Sequence, residues 1–168
     1  MNSGDAKRFS RQGEKIVVEV WPRTFSMIWD NESMRIDPEY LKQLLTAFQD
    51  SHNTFTDIRE LEEGGIDYQM PVFEFHLLAL GDQGFIAGTS GRGELGMSYG
   101  ADGDLMWSVV PLRLSAQGQA FADALNHSDI MATIKEKFIG ASISTIAAAA
   151  FGMLKAETIA HLPKHLLP

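Results

Sequence analysis

The stretch PVFEFHLLALGDQGFIAGTSGRGELGMSYGADGDLMWSVVPLRLSAQGQAFADAL, Pro71 to Leu125, decides the fold. Pro71 opens a helix, because a fixed φ and a missing N–H cost nothing in the first turn. Val72, Phe73, Phe75, His76, Leu77, Leu78 and Leu80 place apolar groups on most of that cylinder, so the helix is expected to be largely buried. It is expected to stop near Gly84, a residue suited to the left-handed position after a helix, and Phe85-Ile86-Ala87 then reads as a short strand. Glycines at 88, 91, 93, 96, 100 and 103 make a helix improbable across the next span and favour a flexible hairpin. Leu105 to Leu114 reads as the return strand, with Pro111 placing one side at a sheet edge, and Ser115 caps the next helix.

Two further helices precede this unit. Asp37-Pro38-Glu39 supplies a cap, a first-turn proline and an acid where the macrodipole favours it. Tyr40, Leu41, Leu44, Leu45 and Phe48 recur at three- and four-residue spacing up to about Ser51. Asp57-Ile-Arg-Glu60 reads as a capping box opening a short helix that ends at Gly64-Gly65. The order of helix, helix, buried helix, strand, glycine-rich hairpin and strand is that of an α+β winged helix, assigned to residues 37–126. Residues 127–162 form a C-terminal helical extension. Its first helix is expected to be capped at Ser128 and to end at Gly140, and its last to begin at Ser142 with a stripe through Ile143, Ile146, Ala150, Phe151 and Leu154. The opposite face, Ser144, Thr145, Ala148 and Ala149, carries no charge. Residues 15–36 read as an N-terminal β-hairpin element and residues 1–14 as a disordered tail.

At 168 residues the chain is long enough for a real core. It has no cysteine, so disulfides and thiolate metal sites are excluded, and the expected location is the cytoplasm. The opening residues lack the apolar region of a signal peptide, and no apolar run reads as approaching the roughly 20 residues of a membrane span, so no membrane partner is expected. The formal charge is −8. Between Asp57 and Asp104 there are ten acids against Arg59 and Arg92, which equals that whole excess.

Three segments together resemble a family of uncharacterised bacterial and prophage-associated winged-helix proteins: FHLLALGDQGFI from Phe75, LSAQGQAFADAL from Leu114, and SDIMATIKEK from Ser128. The resemblance covers roughly residues 37–154 and leaves out the β-rich opening. It implies the winged-helix fold. It implies no catalytic residue, since that family has no established activity.

No catalytic constellation, cofactor site or metal site is read from the sequence. Gly91 to Gly96 spells G-x-G-x-x-G, but a dinucleotide fingerprint needs a helix to open there, and Met-Ser-Tyr-Gly-Ala-Asp-Gly cannot supply one. Asp102-Gly-Asp104 lacks the further oxygen ligands of a calcium loop. His161 and His165 are four apart, yet Pro163 spoils the turn between them. His76 reads as a hydrogen-bonded core or interface residue.

The contest is between protein and DNA. A DNA-reading third helix needs cationic or amide side chains aimed outward, and this one has no Arg or Lys. The preferred expectation is therefore a non-enzymatic interaction module, an adaptor or regulatory subunit that homodimerises and contacts a partner through Phe73, Leu77, Ile143, Ile146 and Phe151. The alternative is a DNA-binding regulator using Gln69, His76, Gln83 and Arg92, with Lys7, Arg8 and Arg11 of the tail tracking the backbone.

Overall fold

The computed structural model describes residues 34–89 and 95–161. The tail at 1–14, nearly all of the hairpin element at 15–36, and the end beyond His161 lie outside the described residues. Within them the chain is mixed α and β, with six helices and two small antiparallel sheets.

Helix α1 (Pro38–Gln49) starts as its residues require: Asp37 accepts the Glu39 N–H at 2.9 Å, and the apolar stripe from Tyr40 to Phe48 is buried. Helix α2 (Ile58–Glu63) is capped by Asp57, which accepts from the N–H groups of Arg59 and Glu60. The expected reciprocal half of the capping box does not form. The Glu60 carboxylate instead accepts from Ser51 Oγ at 3.1 Å and Asn53 Nδ2 at 3.0 Å, tying α2 to the loop that precedes it. Helix α3 (Pro71–Asp82) ends before Gly84, whose φ of 70° is the left-handed conformation glycine tolerates best.

Strand β1 (Ile86–Gly88) pairs antiparallel with β4 (Leu112–Leu114), Ile86 opposite Leu114. On its other edge β4 exchanges hydrogen bonds with Thr56, in the loop between α1 and α2. Further out, β2 (Met97–Tyr99) pairs with β3 (Leu105–Trp107). The single return strand expected over Leu105–Leu114 is thus two strands, broken at Ser108–Pro111. Pro111 marks that break and not a sheet edge, because β4 is paired on both sides. A proline has no N–H to give a ladder, and the chain changes sheets where the donor is missing.

Helix α4 (Ala116–Asn126) is capped by Ser115 Oγ, which accepts the Gly118 N–H at 3.0 Å. Gly118, an apparent weak point in a helix, has a steric reason: a Cβ there would collide with the carbonyl oxygen of Phe85. Helix α5 (Ser128–Lys137) begins one residue earlier than a Ser128 cap would allow. Its cap position is His127, which also ends α4 and gives no side-chain bond. Gly140, with φ of 73°, turns the chain toward α6 (Ile143–His161), whose first turn is bonded by Ser142 Oγ from Thr145 N–H.

The core is continuous from α1 to α6. Leu41, Leu44 and Leu45 meet Phe73, Leu77 and Leu80 of α3 and Phe121, Ile134 and Ile146 of the later helices in one apolar cluster. Phe85, Phe121 and Phe151 form an aromatic triangle with centroids 4.9 to 6.4 Å apart. Helices α5 and α6 therefore belong to the same core as the preceding elements, and the boundary read at residue 126 falls inside it. The reading that no segment approaches a membrane span needs correction. Ile143–Ala160 of α6 is long and apolar enough by length and composition, with a mean hydropathy of 1.3, although 22% of that window is buried within the fold.

His76 joins α1 to α3. Its ring is buried, its Nδ1–H donates to Val72 O at 2.8 Å, and its Nε2 accepts the Asp37 N–H at 2.9 Å. Both nitrogens are occupied only in the neutral Nδ1–H tautomer. Burial lowers the His76 pKa below its ordinary 6.5, against the smaller opposing effects of Val72 O and Asp37. The unfolded chain then takes up a proton first as pH falls. This contribution to stability is complete above about pH 6.5 and is lost as pH falls through the folded pKa, with a slope of at most about 1.4 kcal/mol per pH unit. Urea midpoints between pH 7.5 and 5.5 should fall accordingly, and H76F should flatten that part of the profile. G118A should cost roughly 1–3 kcal/mol in the same assay, because the Phe85 backbone must move.

Candidate interaction surface

Helix α3 turns about 100° per residue, so its apolar residues divide among distinct neighbours. Phe73, His76, Leu77 and Leu80 face the core and are buried. Phe73, Leu77, Ile143 and Ile146 are therefore spent inside the chain and are not offered to a partner, contrary to expectation. The reason is that α6 packs on α4 and α5, while α3 packs on β1, is tied to the start of α1 through His76 and is met by Trp107 of β3. Phe151 is half-buried in the aromatic triangle.

The next side of α3 is covered by the hairpin. Trp107 packs on Phe73 with the rings tilted and 5.3 Å between centroids, and meets Tyr68 edge-on at 6.0 Å. The Tyr99 hydroxyl donates to the Glu74 carboxylate, and this bond raises the Tyr99 pKa above its ordinary value. Gly81 leaves room for Leu95: a Cβ there would lie 2.7 Å from the Leu95 Cδ1. Trp107, Tyr99 and Leu95 thus lie along one side of α3, on Phe73, Glu74 and Gly81 respectively. Alternation along β2 and β3 puts Met97, Tyr99, Leu105 and Trp107 on the face toward α3, leaving Ser98 and Met106 outward.

What remains of α3 is a ridge of Pro71, Phe75, Leu78 and Asp82, at spacings of four, three and four residues. Pro71, Leu78 and Asp82 are exposed and Phe75 is half-buried. No side chain of this ridge is cationic. The residues proposed to read DNA are not brought together: His76 is buried, while Gln69 and Gln83 are exposed beyond opposite ends of α3. Lys7, Arg8, Arg11 and Arg92 lie outside the described residues. Residue Leu78 was missed as a surface position because the helix reads as apolar all round. Its phase relative to Phe73 and Leu77 is the signal that separates it.

The remaining motifs resolve into local structure. Gly96 leads into strand β2 and not into a helix, so the glycine pattern does not open a dinucleotide site. Asp102 accepts the Asp104 N–H at 3.2 Å within the β2–β3 turn. Among the described residues no three His, Asp or Glu side chains are grouped to hold a metal. An open cleft of about 390 Å³ between α1 and β4 is lined by Phe48, Gln49, Thr56 and Arg113, and holds no acid–base pair.

W107A should release the hairpin from α3. Loss of the contacts to Phe73 and Tyr68 should cost roughly 2–3 kcal/mol. Hydrogen exchange should show lost protection at Gly100 and Ser108, whose N–H groups bond across the hairpin to Asp104 O and Gly96 O, while α4 to α6 stay protected. Comparison with protein-family models, with curated proteins and with solved structures finds no match to the chain.

Proposed function

We propose that residues 37–126 are a winged helix and that the protein is a non-enzymatic interaction module, an adaptor or regulatory subunit of a bacterial or prophage system. The element order supports the first part: helix, a strand residue at Thr56, two helices, then β1 and β4 at the base of a long hairpin, with β4 central between β1 and Thr56. The second part rests on one observation. The exposed ridge of α3 has no cation, and the hairpin is folded against the side of that helix instead of being held apart from it.

A DNA reader of this architecture places its third helix in the major groove, and phosphate contacts by Lys and Arg supply most of its affinity. Here Glu74 and Asp82 occupy the corresponding helix, and a polyanion would be repelled by both. Self-association is assigned to the first half of the outer face of α6, where Thr145, Ala148 and Gly152 are exposed and uncharged.

Mobility-shift assays with duplex DNA at 50 and 200 mM salt, beside sedimentation of the protein alone, test this reading. Expected are a dimer that G152E converts to monomer, and no submicromolar DNA binding. Nanomolar binding that weakens by about 10³-fold or more over that salt range would overturn the reading in favour of a DNA regulator.

A further inference from the structure

We propose that the α3 ridge docks a cationic amphipathic helix of a partner protein, with Phe75 and Leu78 as the apolar seat and the surrounding carboxylates as the rim. This deepens the interaction-module reading and rests on it.

Three features of the surface point to that occupant. From Pro71 to Asp82 the ridge spans eleven residue steps, about 16 Å, which matches three turns of a second helix laid along it. Its centre is apolar, with Leu78 39% exposed, and such a stripe is what the apolar side of an amphipathic helix covers. The elements that frame it carry exposed or half-exposed acids: Asp67 before α3, Glu74 and Asp82 on it, and Asp102 and Asp104 in the β2–β3 turn.

Among the described residues from Asp57 to Asp104 the one cation is Arg59, and Asp57 holds it at 2.7 Å. An acidic rim around an apolar seat selects a helix with Lys or Arg flanking its apolar stripe, and rejects one flanked by Glu. A second copy of this chain is a poor match, because α5 sets Asp129 and Glu136 beside Lys137 while its Lys135 pairs with Glu39, and α6 sets Glu157 beside Lys155. The ridge therefore calls for a different protein.

The test uses the full chain and two labelled peptides of about 16 residues with identical leucine spacing, one filled with lysine and the other with glutamate. Anisotropy should give a Kd of about 10 μM for the Leu/Lys peptide, with the Leu/Glu peptide at least about tenfold weaker. Amide shifts should cluster on residues 74–82 and 97–106. L78A should weaken the Leu/Lys peptide by about tenfold, and D82R by about fivefold or more. D129R, with the same change in charge on α5, should stay within about twofold.

Equal loss in D82R and D129R would reduce the binding to bulk charge and overturn the proposal. Equal affinity for both peptides with shifts on the ridge would overturn the charge assignment while leaving the interaction module intact. Ridge shifts that depend on protein concentration without peptide would assign the surface to a second copy and overturn it too. If neither peptide binds and duplex DNA does, the proposal and the interaction-module reading fall together.

Discussion

Helix α3 carries more apolar surface than one neighbouring layer can remove from water, and the rest of the molecule is arranged to cover it. Phe73, Leu77 and Leu80 go to the core, and His76 goes to the start of α1. A buried imidazole is tolerable there because both of its nitrogens are hydrogen-bonded. The hairpin then takes the side formed by Phe73, Glu74 and Gly81, with Trp107 and Leu95 as its apolar contacts. Only the ridge through Phe75 and Leu78 stays in solvent. Burial on three sides explains both why this helix is so apolar and why its exposed remainder is narrow.

Much of this was legible in the residues, wherever a single local interaction decides the outcome. Asp37 and Pro38 set the start of α1, Gly84 the end of α3, and Ser115 the start of α4. What could not be read depends on contacts distant in sequence. Pro111 marks the break between β3 and β4, but the pairing of β4 on both edges depends on Thr56, which lies beyond α2 and α3 in sequence. The fate of Glu60 follows from Ser51 and Asn53, which outbid the backbone N–H of its own cap. The surface residues were misassigned for a related reason. Phase places Phe73 and Leu77 on one side of α3 and Phe75 and Leu78 on another, but a helix apolar on nearly every side has no evident inner face, so which side is buried depends on the neighbours.

Charge and burial support the same reading of α3 by independent routes. The acids between Asp57 and Asp104 act on whatever approaches from solvent, whereas the hairpin acts by occupying one side of the helix. Tyr99 belongs to both, since it is part of the hairpin and its hydroxyl holds the Glu74 carboxylate. The one arginine described in this region is spent on the cap residue of α2.

The central position of β4 also orders the way the chain comes together. Ile86 and Leu114 are 28 positions apart, while Thr56 and Leu112 are 56 apart. Doubling the loop raises the entropy of closure by about 0.6 kcal/mol for a single hydrogen-bonded pair in return. The base of the hairpin is therefore the cheaper of the two closures, on the more local contact. The segment between α1 and α2 joins the same strand across the longer loop, at the higher entropic cost.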